Sequence, residues 1–399
     1  MKADIAANMG GLLLENIVDM REGPRKKAVV FSPVGDMAQM EEFCRHVKSL
    51  KIHDAADFVF VYRQGLKYSS LLPAVHAAER YPLGTAGCFF AGEKLAYSLG
   101  YEVIIVADLD AHLDSRRTFD EMLEMCRKGG KVVSPVSTSQ ENSEKYVAYN
   151  FNQWSFFPRE AYDTIGMSTP YFWRGGDDYE MICRYRHHGE NVVYTKGNVF
   201  HPMVGYTVFH KMVQRKKQYT YIAGLLKSLL FIGTYSRVGS AKYLLWHVYY
   251  SFAADVFSDP DLGDAVNGAH TLSVEEPEGN DMKIFEVKKV RERGRYSNVS
   301  PMRAFLFPAA LVHLLLFGHY DIYTDRVYLK MPKWKMLLGL GAAVLLLPIR
   351  AAQALACLSQ FGRYFGKVVF PVTSANMDKA EGIYRTLLVE HRLGKEGDG

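Results

Sequence analysis

The chain has 399 residues, 48% of them hydrophobic and 13% aromatic, which provides for a sizeable core and argues against long disorder. Its formal charge of +5 is too small to mark a nucleic-acid binder and sufficient to favour anionic lipid headgroups or phosphates. Cys44, Cys88, Cys126, Cys183 and Cys357 form no C-x-x-C pair and leave an odd count, so neither a zinc site nor a disulfide framework is suggested, and a reducing cytosol is the simplest setting.

Residues 1–24 read as a helix ending at Gly23 and Pro24. Their apolar patch at 11–14 is too short and too closely flanked by Glu15 and Asp19 to form a signal-peptide core. The apolar runs 28–31, 58–62 and 103–106 are predicted strands, with a helix over about 87–99 and a further strand at 132–135. Strands alternating with helices imply an α/β domain with a parallel sheet over 25–205. Residues 206–257 read as a helical extension and 258–300 as a polar linker carrying Pro260, Pro277 and several glycines. In the last region, 301–399, two apolar segments at 304–317 and 336–347 fall short of the roughly 20 residues that span a bilayer. Their flanks carry Arg303, Lys330, Lys333, Trp334, Lys335 and Arg350, a mixture that suits helices lying in a membrane interface; a buried helical hairpin is the alternative.

Four constellations carry chemistry. Val103-Ile-Ile-Val-Ala-Asp108-Leu-Asp110 delivers two carboxylates, one residue apart, to the C-terminal end of a buried strand, the edge where open α/β sheets bind ligands. Such oxygen donors suit Mg2+ or Mn2+, although Asp is also a common residue at strand ends. Gly175-Gly-Asp177-Asp178-Tyr-Glu180 opens a helix, where its carboxylates serve either as capping groups or, at Asp178, as a general base. His201 follows a short strand and is held by Pro202, as a metal ligand or as a structural histidine. The glycine-rich turn at 82–92 opens another helix, and its glycines admit either a nucleotide or close helix–sheet packing.

In order and spacing these motifs resemble the inverting family-2 glycosyltransferases of GT-A fold, nearest the galactofuranosyl- and rhamnosyltransferase branch. The branch's N-x-G-G-A-G-G-F segment is matched by Leu83-Gly84-Thr-Ala86-Gly87-Cys-Phe89, and the outer aspartates of its D-D-D by Asp108 and Asp110, with Leu109 between them. Asn152-Gln-Trp154-Ser-Phe156-Phe157-Pro158, Ile165-Gly166-Met-Ser-Thr-Pro170, Phe172-Trp-Arg-Gly-Gly176-Asp177-Asp178-Tyr-Glu180 and Phe200-His201 stand in the places of its later motifs. The match covers about 80–205.

The resemblance implies a GT-A-like mixed, mainly parallel sheet flanked by helices, and a hexosyltransferase that inverts the anomeric carbon in one displacement. Asp108, Asp110 and His201 would hold Mn2+ or Mg2+, with Asp178 as catalytic base. Trp154 and Trp173 would border the acceptor, and Asp177 and Glu180 would orient the site or meet acceptor hydroxyls. Arg63, Gly84, Gly87 and Asp108 are the donor-side candidates. Arg63 stands in Tyr62-Arg63-Gln64-Gly65 where the family usually has an acidic nucleotide-binding turn, and Asp36 is a further candidate for base contact. The expected partners are a nucleotide-diphosphate sugar, a glycan or lipid-linked acceptor and the inner face of the cell membrane, with no nucleic acid and homo-oligomerisation left open. Two other readings are a degenerate homologue that binds glycans without turning them over, and a nucleotidyltransferase. The latter lacks its lysine- and glycine-rich triphosphate loop, since the first strand runs into Ser32-Pro-Val-Gly-Asp36.

Overall fold

A computed structural model of the chain describes residues 11–138, 151–172, 177–200, 231–235, 285–286, 319–320, 327–328 and 368–390. Its centre is a ten-stranded mixed sheet. Strands β1 (Leu14–Asp19), β2 (Ala28–Val34), β3 (Ala56–Tyr62), β4 (Val75–Glu79), β5 (Val103–Ala107), β6 (His112–Leu113), β7 (Val132–Thr138), β8 (Gln153–Pro158), β9 (Asn191–Phe200) and β10 (Phe285–Glu286) follow in chain order. Their spatial order is β1-β4-β3-β2-β5-β8-β7-β9-β10, with β6 also on β9. The run β4-β3-β2-β5 is parallel, while β8 lies antiparallel between β5 and β7.

The central strands are mostly apolar and buried because both of their faces are covered. Val29 and Phe31 of β2 point to one face, under α2 (Gly84–Ser98), α4 (Arg159–Thr164) and α5 (Asp177–His188). Ala28 and Val30 point to the other, under α1 (Met37–Ser49) and α3 (Arg116–Gly129). The chain steps outward from β2 through β3 to β4, then returns to place β5 on the other flank of β2. That reversal makes a topological switch point, and beyond the C-terminal ends of β2 and β5 such sheets usually form a ligand crevice.

Two expectations change. Residues 14–19, read as part of a helix, form the edge strand β1, antiparallel to β4 with an irregular register between Glu15 and Val18. The apolar residues of this stretch fit a helical stripe, but the open edge of β4 needs hydrogen-bond partners. β1 supplies them, with Arg80 N donating to Leu13 O and Met20 N to Ala74 O at either end. The second change is at 368–390, placed by the sequence in a separate C-terminal region. Its helix α6 (Met377–Glu390) contributes Ala380, Tyr384, Leu387 and Leu388 to the core that contains α2. Phe231, from the expected helical extension, joins the same core.

The apolar segments at 304–317 and 336–347 lie outside the described residues. Among the described residues no helix is long and apolar enough to cross a membrane.

Candidate active site

β5 is buried along its whole length and ends at the crevice, so the chain emerges there at Asp108. A tight turn follows, with Asp108 N donating to Asn152 O at 2.7 Å and Ala111 N to Asp108 O at 3.1 Å. Leu109 packs into the core at 5% exposure, whereas Asp108 and Asp110 are only half-buried. The apolar residue between the two acids therefore anchors the turn. Trp154 holds it from below, its indole Nε1 donating to Ala111 O at 2.6 Å and its ring stacked on Phe43. Trp154 is fully buried, so it supports the aspartate turn and does not border an open acceptor face as expected.

The second acidic group reaches the same place from α5. Asp177 is nearly fully buried and its carboxyl is pushed well above the usual range, first by burial and then by the charges of Asp178 and Asp108. Residues far apart in sequence thus form one acidic cluster, in which Asp178 is the half-buried member of the helix's first turn. The arrangement suits the positive end of the helix dipole, and Arg186, His187 and His188 complement it in the last turn.

Glu180 behaves differently. It is fully buried, receiving Arg184 Nε at 2.9 Å and Thr169 Oγ1 at 3.0 Å. Arg184 in turn donates to Ile165 O at 2.9 Å and Met167 O at 2.8 Å, and Tyr185 Oη to Gly166 O at 2.8 Å. Glu180 therefore fastens the 165–169 loop to α5 and offers nothing to an acceptor hydroxyl. Glu93 of α2 holds the same loop, accepting from Ser168 N at 2.7 Å and Ser168 Oγ at 3.0 Å.

On the donor side, Arg63 leaves β3 with its N donating to Val34 O at 2.9 Å. Its exposed guanidinium lies 3.8 Å from where a Cβ on Gly35 would stand, at the end of β2. Gly84 opens α2 with φ +65°, a conformation that favours glycine, and Leu83 before it supplies no side-chain cap to the first-turn amides. Gly87 has another cause. A Cβ there would stand 2.5 Å from the Tyr384 ring, and one on Gly92 would stand 2.0 Å from Phe31. Packing explains both glycines, and for Gly87 this replaces the expected nucleotide contact. Asp36 is engaged as the N-cap of α1, accepting from Ala38 N and Gln39 N.

His201 and Trp173 lie outside the described residues. The register nonetheless pairs Phe200, the last residue of β9, with His112, two residues beyond Asp110. Among the described residues no group of three or more His, Cys, Asp or Glu is arranged to hold a metal ion. The carboxylates of Asp108 and Asp110 are hard oxygen donors at a half-exposed edge, a fit for Mg2+ or Mn2+ once a third ligand joins them. No local pattern in the sequence marks Tyr384 as a neighbour of the glycine-rich turn. For Glu93 the only sign was a lone acid in an apolar helix.

No protein-family profile and no curated protein matches the sequence. Solved structures with a related outline include a mannosyltransferase from Pyrobaculum calidifontis in complex with GDP-Man and Mn2+, at 14% identity and a TM-score of 0.39, covering 86% of this chain and 89% of that one. Residues 1–349 of S. aureus TarS align at 9% identity and a TM-score of 0.38 over 92% of each chain. GalNAc-T7 with UDP, GalNAc and Mn2+ aligns at 11% identity and a TM-score of 0.36, over 76% of this chain and 59% of that one. Likenesses this distant carry no weight for the chemistry, which rests on the residues of the chain itself.

Proposed function

We propose that the chain is a metal-dependent inverting glycosyltransferase with a GT-A-like fold, akin to family 2 and its galactofuranosyl- and rhamnosyltransferase branch. It would move a sugar from a nucleotide diphosphate to an acceptor hydroxyl in the assembly of a cell-surface or lipid-linked glycan. The observation that carries this reading is that Asp108, at the sheet edge where the chain reverses, and Asp178 of α5 both lie near enough to the buried Asp177 for their charges to raise its carboxyl.

Asp108, Asp110 and His201 would hold Mn2+ or Mg2+, which, when bound, supplies positive charge for the departing diphosphate. Arg63 and the uncapped first turn of α2 at Gly84 face the donor's nucleotide and phosphates. Asp178 takes the proton of the acceptor hydroxyl as its oxygen forms the new bond to the anomeric carbon. The bond from that carbon to the diphosphate breaks on the opposite face, so the configuration inverts. Asp177, buried behind Asp178, orients it. Trp173 remains the candidate for the acceptor face, and the inner membrane surface the expected place of work.

Calorimetry with Mn2+ and a panel of uridine-, thymidine- and guanosine-diphosphate sugars tests the reading. Metal-dependent binding of one donor by the wild type, lost in Asp110→Ala, is the expected result. Binding without turnover would instead favour a non-catalytic glycan-assembly subunit, and no binding of any donor by folded protein would sink the donor site.

A further inference from the structure

Helix α6 arrives from the far end of the chain and inserts one side chain into the glycine-rich turn. The Tyr384 hydroxyl donates to Leu83 O at 2.5 Å, while Leu83 N donates to Glu79 Oε2 at 2.7 Å. The Leu83 backbone is therefore held from both sides, immediately before Gly84 begins α2. The Tyr384 ring occupies the notch that Gly87 leaves, and its other side meets Tyr171 edge-on at 6.3 Å. Burial pushes its hydroxyl well above the ordinary range, and the neighbouring Glu79 carboxylate pushes it further. One phenol thus fastens α6 to the turn assigned to the donor.

We propose that Tyr384 is a positioning residue that fixes the 83–88 turn in the conformation that receives the donor's phosphates. The assignment rests on the glycosyltransferase reading for the identity of that ligand. It acts through Leu83 O and the Gly87 notch, so the group that would touch the donor is backbone. The helix itself is anchored elsewhere, because Glu381 accepts from Lys94 Nζ at 2.5 Å and from the amides of Leu12 and Leu13. Removing the Tyr384 hydroxyl should therefore leave α6 docked.

The test compares the full-length wild type with Tyr384→Phe and Gly87→Ala by amide hydrogen exchange and by donor kinetics in Mn2+. Tyr384→Phe is expected to speed exchange over 83–88 by about 5-fold and to raise the donor KM by a similar factor, the scale of one hydrogen bond, with kcat little changed. Gly87→Ala, which displaces the ring and keeps the hydroxyl, should give the same pattern. Unchanged exchange over 83–88 in both variants would overturn the proposal, as would a fall in kcat with the donor KM unmoved. Faster exchange in proteins that bind no nucleotide sugar, the wild type included, would overturn the donor reading and leave only a packing role for Tyr384.

Discussion

Asp178 and Glu180 stand two residues apart on the first turn of α5, and in the sequence they look alike. Asp178 sits half-buried at the mouth of the crevice beside Asp177 and Asp108, while Glu180 is sealed in the core against Arg184. The helix turns one carboxylate toward the site and the other toward the loop that supports it. The mouth keeps like charges close together, an arrangement with a use only when a cation or a proton joins them. In the interior, Glu180 is instead matched with the Arg184 guanidinium, as a buried charge requires.

The contrast is broken most directly at Asp178. Asp178→Ala is expected to lower the transfer rate by about 10²- to 10⁴-fold while donor binding and thermal stability hold, read by single-turnover assay and calorimetry. A large loss of stability instead would make Asp178 a second Glu180. Glu180→Ala should show the reverse pattern, with stability to urea reduced by about 3–5 kcal/mol because Arg184 keeps its charge without a counter-ion. Replacing both residues by apolar ones of similar size should restore much of that loss.

The smallest expected effect sharpens the contrast by pH. Burial pushes Glu93 up to about 7, against which the two bonds from Ser168 and the charge of Arg184 pull. A carboxyl raised on folding binds its proton more tightly in the folded chain. Its contribution is full below the unfolded value and is lost as pH rises through about 7. Between pH 5 and 8 the wild type should therefore lose up to about 3 kcal/mol more stability than Glu93→Gln does in denaturant titrations, the difference isolating Glu93 from Asp177, His46 and His76. Equal slopes for the two proteins would show that Glu93 ionises freely.

The features legible in the sequence were those whose cause is local. An apolar run ending in Asp108 and Asp110 specifies both the strand and the edge it reaches, and Asp177 with Asp178 marks a helix start. Gly87 and Gly92 were noticed, but their reason lies in Tyr384 and Phe31, partners distant in the chain that no local pattern names. The resemblance places Trp154 at the acceptor. Its place is decided by the Ala111 carbonyl and the Phe43 ring, which only the folded sheet brings beneath it. At β1 the periodicity of a short apolar stretch fitted a helix, and the unpaired edge of β4 overruled it.

The late arrival of α6 sets a schedule for the ribosome. β9 ends at Phe200 and α6 begins at Met377, so about 180 residues must be made between the end of β9 and the docking of the helix, on the order of 10 s at ~5–20 residues per second. For that time Gly87 and the Lys94 ammonium lack Tyr384 and Glu381, and the flank of α2 is without the helix that covers it. A message cut short before codon 377 would yield a chain whose α2 lacks the apolar cover of Ala380, Tyr384, Leu387 and Leu388. The cost of such a truncation would appear as aggregated product on the polysome before it appeared as a slow enzyme.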